Sequence, residues 1–247
     1  MGYIVAIGGG TNGGRGTEYQ TELIDKKIVE LTNKANPRFL FIGFATTCPD
    51  SYYRAMKRNY KRLGCVPDTL NIKDAGNKQL VEEKFDKADI IYIGGGNTLR
   101  LMREIKKYGI TEYVEKAFND GKVVCGISAG AIALCKYGNS DSQKYSSGKE
   151  IYIKVTGMGL VDCLYCPHFD VEPQRYENLE RMMKTTYKIP AISCDNCAAI
   201  ITDGKYAEII TSSKANVNKF YFKNGEYIKK TLTQGIKYPY CEITTKL

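Results

Sequence analysis

A mostly parallel α/β sheet with helices on both faces is what this sequence predicts, and three observations carry that expectation. Short apolar runs at 3–7, 39–44, 89–93 and 122–125 alternate with stretches of helical periodicity. Three of these runs end in glycine-rich loops, after Ile7, Ile93 and Cys125. In an open parallel sheet, ligands bind beyond the carboxyl ends of the strands, so all three loops belong on one rim.

Composition narrows the class. A chain of 247 residues is long enough for a substantial core and is read as one domain, 1–247. Hydrophobic residues at 43% and charged residues at 26% describe an ordinary soluble globule. The formal charge of +9 comes from dispersed lysines interleaved with acids, so no nucleic-acid partner is expected. The apolar runs are too short to span a bilayer, so no membrane partner is expected either. With no signal-type segment at the N-terminus, a cytoplasmic location is the expectation. Nine cysteines scattered through apolar runs read as free thiols. Cys163-x2-Cys166 and Cys194-x2-Cys197 imitate a four-thiolate zinc spacing, but the first pair falls inside a strand-like run. Neither a metal nor a cofactor is expected.

The elements follow in order. After the first strand comes Gly8-Gly9-Gly10-Thr11-Asn12-Gly13-Gly14-Arg15-Gly16, which formally contains a dinucleotide fingerprint. That fingerprint opens a helix directly and is followed by an acid near the end of the second strand, neither of which is seen here. A rim loop is the better reading. Helices are expected at 18–33, from Ser51 as N-cap to 63, at 79–85, and from 99 to 119 in two pieces, with a strand at 66–70. Residues 137–148, rich in Gly and Ser, read as loop. A strand at 151–156, another at 160–166 and a helix at 176–187 follow. The run around Asn224-Gly225 reads as an antiparallel hairpin.

The chemistry lies in 122–134. There an apolar strand enters Gly126-Ile127-Ser128-Ala129-Gly130 and small helix-compatible residues follow, which is the layout of a nucleophile elbow. Such a turn lifts a serine Oγ out of the sheet and aims the next backbone N–H, that of Ala129, at a developing oxyanion. A serine needs a base, and the chain holds one histidine, His168 in Cys166-Pro167-His168-Phe169-Asp170. A serine hydrolase is the leading reading. The second oxyanion donor is expected from Gly94-Gly95-Gly96, at Gly95 or Gly96, with Gly9 and Gly10 next in line.

Gly94-Gly95-Gly96-Asn97-Thr98, Gly126-Ile127-Ser128-Ala129-Gly130-Ala131, Asn139-Ser140-Asp141-Ser142 and Pro167-His168-Phe169 together resemble the peptidase E (dipeptidase E) serine peptidases, related to the cyanophycinases. The resemblance implies a flavodoxin-like fold shared with class I glutamine amidotransferases, and hydrolysis of small peptides through an acyl-enzyme. It makes Ser128 the nucleophile, His168 the base and Asp141 the acid. Asp195, at the end of a strand-like run, is the alternative acid. Asn97 and Arg175 are candidate substrate-binding residues, Arg175 through a bidentate grip on a carboxylate. The segment after His168 departs from the aspartyl dipeptidases, which leaves a preference for an N-terminal aspartate open. The expected partner is a small peptide, and a homodimer is left open. The rival classes are an α/β-hydrolase esterase or amidase, whose His-Gly-Gly-Gly motif is absent here, and a non-catalytic binding protein of the same fold.

Overall fold

The structure, a computed structural model, describes residues 1–14, 16–144, 148, 151–186 and 189–244. Its centre is a parallel block in which β1 (Tyr3–Ile7), β5 (Val123–Ile127), β4 (Ile90–Ile93), β2 (Arg38–Ile42) and β3 (Val66–Leu70) lie side by side in that order. Antiparallel strands β10 (Ala198–Thr202), β11 (Tyr206–Thr211) and β14 (Tyr238–Pro239) extend the sheet beyond β1 to eight strands. The fold is α/β and flavodoxin-like.

Why the inner strands carry no polar alternation is plain from what covers them. Helices α1 (Glu22–Glu30) and α2 (Pro49–Arg62) lie on one face, where Val5 and Ile7 meet Ile24, Ile28, Met56 and Tyr60. On the other face Ile4 and Ala6 join Val81 and Phe85 of α3 (Lys78–Lys87), and Leu101 and Ile105 of α4 (Thr98–Lys107). Val114 of α5 (Ile110–Asn119) and the whole of α6 (Ala129–Leu134) complete that layer. A strand sandwiched this way is apolar at every position. Each fully buried Ile contributes about 1.5–3 kcal/mol.

A second, six-stranded sheet was not anticipated. Its order is β13 (Glu226–Leu232), β12 (Val217–Lys223), β9 (Ala191–Cys194), β8 (Val161–Cys166), β6 (Cys135–Ser140) and β7 (Ile153–Thr156). The expected Asn224-Gly225 hairpin forms its edge, with both turn residues left-handed. Strand β6 corrects the loop reading of 137–148. Gly138, Asn139 and Ser140 are buried between β7 and β8, and a Cβ at Gly138 would collide with Ile132 of α6. Composition said loop because close packing here demands small residues. Residues 145–147 of that stretch lie outside the described residues.

Helix α7 (Gln174–Thr185) buries Leu179 and Met183 against this sheet. The expected helix 176–187 thus starts two residues earlier, and its Tyr187 lies outside the described residues, as does Arg15 of the first loop. Helix α1 is shorter than the expected 18–33, because Tyr19 pairs with Asn12 in a β-bridge and the helix begins at Glu22. Cys48, not Ser51, precedes α2, with Pro49 at its first position. A short helix α8 (Tyr240–Thr244) closes the described chain. Among the described residues, no helix is long and apolar enough to cross a membrane.

Candidate active site

Strand β5 hands over to α6 through a single residue, Ser128, at φ 54 and ψ −111. For a residue with a Cβ this conformation is strained, and neighbouring glycines allow it. A Cβ at Gly126 would strike the backbone of Gly130, and one at Gly130 would strike the Ile93 carbonyl. The elbow is therefore held by close approach on both sides. Ala129 is the first residue of α6, so its N–H has no acceptor within the helix.

Strand β8 ends at Cys166, and His168, forty residues after Ser128, follows in a left-handed turn at φ 52. The His168 N–H donates to the Gly8 carbonyl at 3.2 Å, which ties this turn to the end of β1. That anchorage puts His168 Nε2 2.7 Å from Ser128 Oγ. On the other side of the ring, Nδ1 lies 2.8 Å from Asn196 Oδ1. With Nδ1–H donating to the amide oxygen, Nε2 is left bare to accept from the serine hydroxyl, and one tautomer satisfies both contacts. Gly9 makes room for this, since a Cβ there would overlap the His168 ring and the Asn196 amide.

Neither carboxylate offered by the sequence occupies the Nδ1 position. Asp195 is buried but turned the other way, accepting from the Asn216 backbone N–H at 2.8 Å and the Asn216 side chain at 3.2 Å. Burial holds its pKa above the ordinary carboxylate value. Strand β9 ends at Cys194 and the chain turns at Asn196, which separates its side chain from that of Asp195. Asp141 is closer to the chemistry. It lines a cavity of about 270 Å³ together with Ser128, His168, Glu172, Tyr52, Gly9, Gly10, Gly95, Gly96 and Ile127. Its carboxylate makes no hydrogen bond to the ring.

The remaining candidates divide clearly. Gly95 and Gly96 border the cavity, and the Gly95 N–H points to the Tyr52 hydroxyl at 3.4 Å. Asn97 spends both ends of its amide on structure: its oxygen caps α4 by accepting from Arg100 N–H at 2.9 Å, and its nitrogen donates to the Ser142 carbonyl at 3.2 Å. Arg175 is 1% exposed, too deep to greet a substrate as the sequence suggested. Its Nε donates to Glu172 Oε2 at 2.8 Å and its Nη1 to the Asn139 carbonyl at 2.7 Å, with the guanidinium over the Tyr152 ring. What Arg175 does is hold Glu172, which also accepts from the Tyr152 hydroxyl at 2.9 Å, at the cavity wall. The Asn139-Ser140-Asp141-Ser142 segment braces the site: Ser140 bonds Thr98 and Ser142, and Ser142 Oγ accepts from the Leu99 N–H.

Sequence reasoning missed Asn196, Glu172 and Tyr52. Only Asn196 had a signal, its place beside the singled-out Asp195. The paired cysteines do not converge: Cys163 and Cys166 are three apart on β8 and fall in different apolar clusters. Among the described residues, no group of His, Cys, Asp and Glu is placed to hold a metal ion.

Comparison with known proteins accords with this geometry. The family model of peptidase family S51 matches residues 4–210. The uncharacterized peptidase YgaJ of Bacillus subtilis is 28% identical over 240 residues, covering 96% of this chain and 99% of that protein. Peptidase E of Haemophilus influenzae is 28% identical over 82 residues, covering 33% of this chain and 35% of its own length. Among solved structures, a peptidase from an acI-B1 Actinobacterium superposes with a TM-score of 0.70 at 19% identity, over 96% of both chains. A putative peptidase E from Listeria monocytogenes gives 0.59 at 21% identity, over 94% of this chain and 100% of that one. The matched span takes in the elbow, the Gly94-Gly95-Gly96 loop and the His168 turn, and it makes the chain a member of peptidase family S51, a serine-type peptidase.

Proposed function

We propose that this chain is one hydrolase domain that cleaves small peptides through an acyl-enzyme, with Ser128 as nucleophile, His168 as base and Asn196 as the group that orients the ring. The observation that carries this reading is the 2.7 Å contact between Ser128 Oγ and His168 Nε2 at a strained elbow. Oγ attacks the scissile carbonyl carbon while its proton passes to Nε2. The resulting imidazolium donates that proton to the departing amine, leaving the acyl group on Ser128. Water then enters and gives a proton to Nε2 as its oxygen bonds to the acyl carbon. The bond to Ser128 Oγ breaks, Nε2 returns that proton to Oγ, and the acid leaves.

Negative charge on the carbonyl oxygen is met by the Ala129 N–H and by an amide of the Gly95-Gly96 loop. Asp141 lines the cavity and fits the role of a wall carboxylate better than that of the orienting acid. Buried thiols such as Cys125, Cys163 and Cys166 support a reducing, cytoplasmic setting. A fluorophosphonate probe tests the nucleophile: it should label the protein at Ser128, with no labelling of Ser128→Ala. Absence of labelling in the native protein removes the reading. Turnover of dipeptides rather than p-nitrophenyl esters separates a peptidase from an esterase.

A further inference from the structure

Gly96 lines the Ser128 cavity and also a larger neighbouring one of about 610 Å³, bounded further by Leu99, Arg100, Arg103 and Ser142. The chemistry above makes no use of this second cavity. Arg100 sits half-buried in it, and its Nε is sealed from solvent with no hydrogen-bond partner among the described residues. A guanidinium left that way lacks the planar acceptor its fork is built for. Arg103 differs, since Glu104 already takes its Nε at 2.8 Å. Arg100 also borders a cavity that contains Asp50, but no ion pair joins the two among the described residues.

Position adds to charge. Arg100 lies in the first turn of α4, which leaves directly from the Gly94-Gly95-Gly96 loop beside Ser128. Asp141 and Glu172 stand in the wall of the Ser128 cavity, whereas Arg100 lies in the neighbouring cavity and not in that wall. We infer that Arg100 is a subsite for the main-chain carboxylate of a short peptide, the end of the residue that leaves as an amine. The substrate class is then short peptides with a free C-terminus. This inference rests on the peptidase reading of Ser128 and His168.

The test compares Xaa-Ala dipeptides as free acids with the same dipeptides as C-terminal amides, Asp-Ala included, in the native protein and in Arg100→Gln. The native enzyme should prefer acids to amides by about tenfold or more, as expected for a charge-assisted bidentate contact. In Arg100→Gln the acid-to-amide ratio should fall to near one, through KM rather than kcat, with Arg100→Lys intermediate. Equal use of acids and amides by the native enzyme overturns the subsite and leaves the peptidase reading intact. So does an equal loss on both in Arg100→Gln. Dependence on Arg100 confined to the Asp-Ala amide also overturns it, since a side-chain carboxylate is then the one bound. If no dipeptide is hydrolysed, the peptidase reading falls, and calorimetric binding of the same set to Ser128→Ala decides the subsite. An acid preference lost with Arg100→Gln sustains it, and its absence ends it.

Discussion

Asn196 Oδ1 stands 2.8 Å from His168 Nδ1, so the ring that faces Ser128 is anchored by a neutral amide. An amide oxygen accepts the Nδ1–H and fixes the tautomer, as a carboxylate does. It brings no negative charge to stabilise the imidazolium that forms during attack. The nearest carboxylate in this line is one step back, where Asp170 Oδ1 accepts the Asn196 backbone N–H at 2.8 Å.

Replacing that amide therefore has a signed consequence. Asn196→Asp places a charge beside Nδ1, favours the imidazolium, and should move the acid limb of the kcat/KM–pH profile to higher pH. Asn196→Ala should lower kcat on the order of tenfold or more through loss of the tautomer and orientation. A pH profile that is unmoved in Asn196→Asp, with full turnover in Asn196→Ala, removes Asn196 from the mechanism.

Ser128→Ala and His168→Ala should each cost several orders of magnitude in kcat, and the double variant little more, because the two groups act as one unit. Steady-state kinetics on one peptide suffices. Additive losses contradict the assignment.

The two loop glycines should behave differently. A Cβ at Gly95 meets Ser128 Cβ at 3.3 Å and the Ile127 carbonyl at 3.2 Å, so Gly95→Ala presses on the nucleophile. Its expected effect is a kcat loss of about a hundredfold with little change in melting temperature. Gly96 has φ 138 and a Cβ there meets the Ala45 carbonyl at 2.5 Å, so Gly96→Ala should lower the melting temperature as well. Equal losses of stability in both variants make the loop structural only.

Arg175→Met should destabilise the protein by about 3 kcal/mol, because Glu172 and the Asn139 carbonyl lose their partner. Urea unfolding checks this. An unchanged midpoint with a raised KM returns Arg175 to the substrate.

Asp25 gives a pH dependence of stability distant from the site. It is fully buried, accepting from Tyr60 and Tyr19 at 2.8 Å and from Thr21 at 2.9 Å, and burial pushes its pKa up to about 6. Here the folded state holds the proton more tightly than the unfolded chain. Its contribution to stability is thus fully present below the unfolded value of 3.8 and declines as pH rises to about 6. Relative to Asp25→Asn, the native protein should lose on the order of 1–3 kcal/mol between pH 4 and pH 7. A constant difference between the two across that range contradicts the shift.

Local sequence was enough for the features that local sterics decide. A G-x-S-x-G turn after an apolar strand admits few backbones, so the elbow at Ser128 was legible, as was the Asn-Gly hairpin. His168 was legible by elimination, being the one histidine in the chain. The parallel core declared itself because strands covered on both faces must be apolar throughout. What tertiary structure alone decided is the company His168 keeps. Parallel pairing of β8 with β9 sets Cys166 opposite Ser193, and only that register brings residue 196 up to residue 168. One step back along the chain, Asp195 is tied to Asn216 through both its backbone and its carboxylate, and the turn that follows β9 sends Asn196 the other way. The second sheet was hidden for a related reason. Its β6 is built of Gly, Asn and Ser because Ile132, Thr98 and Arg175 press against it, and such contacts carry no local signature.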